Sequence, residues 1–392
     1  MELTVRLAMI ILKLITKILQ PIYWFVNSHR PKQLPAIKNP LLLLSAKELA
    51  KKIRNREISS EAVVKAYIER IIAVNPQINA VIENRFNEAT KEAKICDNNL
   101  DSGVVNIHTL EREQPLYGVP FSVKEACALK GCSFTACTLS RKDEKAPEDG
   151  EAVKLMKLAG AIPLCVTNTP EMCSGFDSSN LIHGSTNNPY DTRRIAGGSS
   201  GGEPNMNELK DVYEISTAMF FCMADIPRIL LNPDDPKNEK NPFIELGKAL
   251  FGFSQHTKNA ILMGIFKDTK GFLYESRLDY YRERAAKLQT AFENMLGTNG
   301  VLIVPTYPSP ALLRNQSFLY TPGGSYCILF NIFGFPSTQV PMGLNEQGLP
   351  IGFQLIANKN QDRLCLAVAQ ELEKEFGGWI APSSRKTTFF PQ

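Results

Sequence analysis

The stretch EAVKLMKLAGAIPLCVTN, Glu151 to Asn168, decides the fold class. It reads as a helix closed by Gly160 and followed at once by a strand. The same alternation continues on both sides. Upstream, LYGVPFSVKE (Leu116 to Glu125) is a short strand pattern ending on a lysine. Before it, SSEAVVKAYIERIIAV lines Val63, Val64, Tyr67, Ile68, Ile71 and Ile72 along one helical stripe. SAKELAKKIRNREI opens with a capping box, Ser45 with Glu48. Downstream, ESRLDYYRERAAKLQTAFENMLG is a long helix ending at Gly297, and VLIVP after it is a buried strand. LPIGFQLIA and QDRLCLAVAQELEKEFG supply a last strand and helix. Helices and strands in alternation predict an α/β domain from Leu41 to Gln392, with helices covering a central sheet. No internal repeat is present. SRKDEKAPEDG and NPDDPKNEKNP read as solvated charged loops.

Composition narrows the function. The 392 residues are 44% hydrophobic and 21% charged, as expected of a globular protein with a sizeable core. A net charge of +4, with scattered Lys and Arg, gives no nucleic-acid footprint. The nine cysteines form no C-x-x-C pair, and Cys127, Cys132 and Cys137 recur at a spacing that fits no zinc site. They read as reduced, buried thiols of an intracellular chain. No metal and no cofactor is expected.

Residues 7–26, LAMIILKLITKILQPIYWFV, are largely apolar and long enough to span about 30 Å as a helix. Lys13 and Lys17 oppose insertion at roughly 2.5–3.5 kcal/mol each near the bilayer centre. Eleven Leu, Ile, Phe and Val residues return roughly 0.3–0.6 kcal/mol each, so the sum is near zero. Arg6, Lys13, Lys17 and Gln20 share one helical face, which suits a helix lying in the interface with its cations toward headgroups. Residues 1–30 are therefore read as a membrane anchor, spanning or lying on the bilayer, and residues 31–40 as a linker. A core-packed amphipathic helix is the competing reading.

Chemistry concentrates in RRIAGGSSGGEPNMNELKD, Arg193 to Asp211, and in Lys124. A serine hydroxyl needs a base, and a lysine serves as one when burial or nearby cations keep it neutral. Lys124 follows an apolar strand, which places it at a sheet end, where burial is expected. Gly197, Gly198, Gly201 and Gly202 free the backbone around Ser199 and Ser200 and allow amide N–H groups to converge. Beyond Glu203 the text changes to an ordinary polar helix start.

GVPFSVKE, GAIPLCVTNTPE, STNNPYD, GGSSGGE and GFPSTQVPMGL resemble, in order, the sequence blocks of the amidase signature hydrolases. The resemblance implies a mixed central sheet covered by helices on both faces. It also implies a serine hydrolase of lipophilic, fatty-acid amides, associated with membranes inside the cell, of unknown oligomeric state. By resemblance, Lys124 is the base and Ser199 relays the proton, while Ser200, Gly197 and Gly198 sit against the substrate. The family's nucleophile lies in a later Asp-x-Gly-Gly-Ser turn whose N–H groups form the oxyanion hole. That turn is absent here. After Gly202 the next glycine is Gly247, and the one serine between them, Ser216, falls in the helical pattern YEISTAMFF. TPGGSY, with Gly323 to Ser325, lacks the preceding acid. The family pattern breaks at Glu203–Pro204 and resumes later, as though an internal segment were missing. Two readings follow: a fatty-acid amide hydrolase by ancestry, or a non-catalytic product that binds lipid or a partner.

Overall fold

The computed structural model describes residues 2–197, 211–221, 226–232 and 234–382. The chain divides into two compact units. The first comprises Met1–Pro31, Ser174–Ser178 and Asn188–Gln392; the second comprises Lys32–Cys173 and Ser179–Asn187.

The first unit opens with helix α1 (Leu3–Val26) and also holds α7 (Val212–Phe220), α8 (Pro242–Leu250), α9 (Lys258–Asp268), α10 (Leu278–Leu296), α11 (Ser325–Phe333) and α12 (Asp362–Phe376). Its sheet is antiparallel. Strand β10 (Pro350–Ala357) lies between β8 (Val301–Pro305) and β9 (Ser337–Leu344). The core gathers Val5 of α1, Ile215 and Ala218 of α7, Tyr281 and Phe292 of α10, and Phe330, Phe333 and Phe335. Phe292 meets Phe330 edge-to-face at 5.6 Å, and Phe333 meets Phe335 at 5.9 Å. Such pairs add about 0.5–1.5 kcal/mol each beyond area burial. Gly297 ends α10 at φ +53°, as the sequence predicts. The charged stretch read as a loop instead folds into a short ribbon, β6 (Leu231–Asn232) against β7 (Asp235–Glu239). Strand β8 is less covered than its apolar text predicts, because Ile303 points to solvent at 56% exposure.

The second unit holds α2 (Ala46–Arg54), α3 (Ser60–Ile78), β1 (Val81–Asn84), α4 (Phe86–Asp101), α5 (Ile107–Glu113), β2 (Pro120–Lys124), α6 (Glu151–Leu158) and β3 (Ile162–Thr167). A two-stranded ribbon, β4 (Ser179–Asn180) with β5 (Gly184–Ser185), completes it. The sheet order is β1-β3-β2, with β1 antiparallel and β2 parallel to β3, so the sheet is mixed. The capping box forms as read: Glu48 N–H donates to Ser45 Oγ, and Ser45 N–H donates to the Glu48 carboxylate. In α3, Val63 and Val64 are buried and Tyr67, Ile68 and Ile71 pack beside them, but Ile72 is solvent-facing at 59% exposure. One turn separates the two halves of the deciding stretch. Gly160 sits at φ +87°, and a Cβ there would lie 2.8 Å from Tyr117 Cα, so only glycine lets α6 hand over to β3 at this spacing.

The α/β class holds, with the strands of the described residues shared between two three-stranded sheets and two ribbons rather than one broad sheet.

Candidate functional site

Strand β2 carries Lys124 to the end of the second unit's sheet, in register with Thr167 of β3. The alternation of a strand sends neighbouring side chains opposite ways. Val123 and Glu125 are buried, whereas Ser122 and Lys124 are exposed. The expected burial of Lys124 is thus corrected. It occupies the predicted strand end, but its side chain, like that of Ser122, lies on the face opposite the buried Val123 and Glu125 and is exposed.

The buried partner is Glu125, which sequence reading passed over. Its Oε1 accepts from Ser133 Oγ at 3.0 Å and from the N–H and Oγ1 of Thr135 at 2.5 and 2.6 Å. Its Oε2 is buried without a partner among the described residues. A second polar knot lies after β3. Asn168 Oδ1 accepts from Asn180 Nδ2 at 2.7 Å, Asn180 Nδ2 also reaches Thr169 O at 2.9 Å, and Thr138 Oγ1 donates to Glu171 Oε1 at 3.3 Å. These groups fix the loops that leave the strand ends. The available signal was an acid or amide placed directly after each strand, in VKE and VTNTPE. Burial pushes the Cys137 thiol here up to about 12, and Cys165 up to about 11, so neither is a ready nucleophile. Cys127 departs from the buried-thiol expectation: it is exposed, three residues after Lys124.

A cavity of about 650 Å³ runs along β2. It is bounded by Tyr67, Ile71, Val74 and Ile78 of α3 on one side and by Ala152, Val153 and Met156 of α6 on the other, with Lys124, Cys127 and Thr167 also lining it. Its walls are predominantly apolar.

In the first unit, the residues leading to the glycine–serine run are firmly held. Arg193 makes a two-pronged contact with Asp191, which also accepts the Arg193 N–H. Ile195 N–H donates to Leu312 O at 2.9 Å, Arg314 N–H to Arg193 O at 3.0 Å, and Arg194 Nη1 to Ala311 O at 2.6 Å. Gly197 follows at φ +98°, its carbonyl accepting from Ser178 Oγ at 3.2 Å. It lines a small cavity of about 180 Å³ with Phe176, Tyr307 and Pro310. Close by in sequence, Asp177 is buried and accepts from Asn259 Nδ2 at 2.6 Å and Ser317 Oγ at 2.8 Å. Burial holds its carboxyl above the usual range, partly offset by those two donors. Gly198, Ser199, Ser200 and the Glu203–Pro204 junction lie outside the described residues, as does the helix start read after Glu203. Ser216 is a buried residue in the middle of α7 rather than a turn serine, and Ser325 opens α11.

Residues 62–206 and 220–366 match the profile of the Amidase family, and the chain belongs to that family, the amidase signature enzymes. It is similar to fatty-acid amide hydrolase 2-A of Danio rerio, with 32% identity covering 93% of this chain and 94% of that one. Fatty-acid amide hydrolase 2 of Homo sapiens is 29% identical over 88% of this chain and 91% of its own. Solved structures of fatty acid amide hydrolase (TM-score 0.60, 17% identity, 86% of each chain) and of 6-aminohexanoate cyclic dimer hydrolase (TM-score 0.58, 20% identity, 86% of this chain and 98% of that one) share the fold. The match to the Danio protein runs over 507 positions, more than the 392 residues of this chain, so over a hundred of its positions have no counterpart here.

Proposed function

We propose that this chain is a membrane-seated relative of the fatty-acid amide hydrolases that lacks the nucleophile segment and does not hydrolyse amides. The reading is carried by the gap: the relatives align along almost the whole chain, while more than a hundred of their positions are missing from it. Between Gly202 and Gly247 no glycine–serine turn exists to supply a nucleophile and its oxyanion donors. Losing even one such donor typically costs ~10²–10³ in rate. The roles that the family resemblance assigns, Lys124 as base and Ser199 as proton relay with Ser200, Gly197 and Gly198 toward the substrate, are left with no hydroxyl to activate. A fluorophosphonate probe tests this. The purified chain should stay unlabelled, and a version carrying the Danio relative's absent stretch after Glu203 should label. Strong labelling of the unaltered chain, abolished by Lys124→Ala, would overturn the reading.

Membrane seating rests on α1. No helix among the described residues is long and apolar enough to cross a membrane, and we take the interfacial alternative. At 100° per residue the helix divides into three faces. Val5, Met9, Thr16, Gln20 and Tyr23 face the body of the first unit: Val5 is in the core, Met9 packs against it, and Gln20 Oε1 accepts from Gln316 Nε2 at 3.3 Å. Leu7, Ile10, Ile11, Leu14, Ile18, Ile22 and Phe25 form an exposed apolar face. Arg6, Lys13 and Lys17, all exposed, lie between the two. An apolar stripe flanked by cations is the pattern of an interfacial helix. The body pins its start: Glu2 pairs with Arg277 at 3.0 Å and accepts from Tyr281 Oη at 2.8 Å, while Glu2 N–H donates to Glu214 at 2.9 Å. The same unit exposes Phe243, Ile244, Leu250, Phe251 and Phe253 on and after α8, a second apolar patch.

A further inference from the structure

We infer that the open edge of β2 is a docking slot for one extended, apolar segment of another polypeptide. Strand β2 is the last strand of its sheet, and among the described residues its strand partner is β3. Val119 O accepts from Ile162 N–H at 2.9 Å, and Glu125 N–H donates to Thr167 O at 2.9 Å. The register between the strands is irregular at Phe121/Ser122, where β3 carries the extra residue Leu164; β2 itself keeps the period-two alternation of its peptide groups, so the odd-numbered ones face β3. The even-numbered ones face away. Pro120 C=O, Ser122 N–H, Ser122 C=O and Lys124 N–H therefore stand along the open edge, while Lys124 C=O is taken by Cys127 N–H at 2.8 Å. Two donors and two acceptors in a row are a template for strand addition.

The setting selects the occupant. The edge lies in the cavity of about 650 Å³ whose walls are Ile71, Val74 and Ile78 of α3 on one side and Ala152 and Met156 of α6 on the other. A strand entering here would be covered on both faces, so it must be apolar at successive rather than alternate positions. A second copy of this chain fits poorly. Its own β2 edge is equally recessed between helices, and two recessed edges cannot come within the ~4.8 Å of paired strands. A single separate strand can. The relatives also keep over a hundred positions that this chain lacks. The inference shares with the proposed function the premise of an absent internal segment, but peptide binding and probe labelling succeed or fail independently.

The probe is a fluorescent peptide of five alternating Val and Ile residues flanked by lysine pairs. It is tested on the full chain beside the same peptide N-methylated at alternate residues. Expected are saturable binding of the unmethylated peptide alone and at least tenfold slower hydrogen exchange at the Ser122 and Lys124 amides. Binding should be lost in Met156→Lys and, separately, in Ile71→Lys, two partly exposed positions, each checked for an unchanged circular dichroism melt. Equal binding of the methylated peptide, or binding without protection of those two amides, would overturn strand addition. Oleate filling the slot and displacing the peptide without slowing either amide would make it a lipid pocket. A concentration-dependent dimer that protects both amides without peptide would make a second copy the occupant.

Discussion

If α1 lies in the membrane interface, its apolar face should be removable without harm to the fold. Ile11, Leu14 and Ile18 are 56%, 55% and 71% exposed and absent from the core of the first unit. Full burial of such a side chain is worth about 1.5–3 kcal/mol, and more than half of each remains to be buried on seating. Each should therefore contribute about 1–1.5 kcal/mol to membrane partition, and the three together about 3–4 kcal/mol. Changing all three to Ser should weaken co-sedimentation with phosphatidylcholine/phosphatidylserine vesicles by two to three decades, while the melting temperature stays near that of the unaltered protein. Val5→Ala is the opposite perturbation. Val5 is 1% exposed within the aromatic core, so its truncation should cost about 2 kcal/mol of stability and leave the partition of folded protein unchanged. Undiminished sedimentation of the triple variant would refute the interfacial seating. A large loss of stability in it would show that this face packs on protein instead.

Replacing Lys13 and Lys17 by Gln should weaken binding to anionic vesicles by about 1 kcal/mol per charge, with the difference vanishing at high salt or on neutral vesicles. Gly160→Ala should destabilise by about 2 kcal/mol or more, read by urea denaturation, because the residue is left-handed and its new methyl would press on the Tyr117 backbone. Glu125→Ala should cost about 3 kcal/mol by stranding three buried donors, whereas Glu125→Gln, which keeps the accepting oxygen, should cost less than half as much. Two carboxyls give opposite pH signatures in chemical denaturation. The Glu2 carboxyl is held low by the Tyr281 hydroxyl and by Arg277, so its contribution is present above the ordinary glutamate value of about 4.3 and disappears as pH falls through the lowered one. Asp177 is held high by burial, so its contribution is present below about 3.9 and lost as pH rises through the raised value. Against wild type, Asp177→Asn should gain relative stability with rising pH, and Glu2→Gln should lose it.

Local text was a good guide wherever the physics is local. The Ser45–Glu48 box, the Gly160 and Gly297 helix stops and the strands VLIVP and LPIGFQLIA each depend on residues a few positions apart, and each formed where it was read, although VLIVP is less buried than expected. Family membership was legible for the same reason: ordered blocks of sequence persist in GVPFSVKE and STNNPYD. What sequence periodicity could not supply is which strand lies at an edge. An apolar run ending on Lys124 reads the same in the centre of a sheet as at its border; the tertiary pairing order β1-β3-β2 puts it at the border, and the packing around it leaves Lys124 and Ser122 exposed while Glu125 enters a buried knot with Ser133 and Thr135. Helix α1 shows the same division. Its residues by themselves dictate an apolar helix with a cationic stripe on one side. Which apolar residues serve the core and which meet the surroundings was decided by the surface against which Val5, Met9 and Gln20 dock, because burial is a property of the neighbours a side chain acquires, and those neighbours lie hundreds of residues away in the chain.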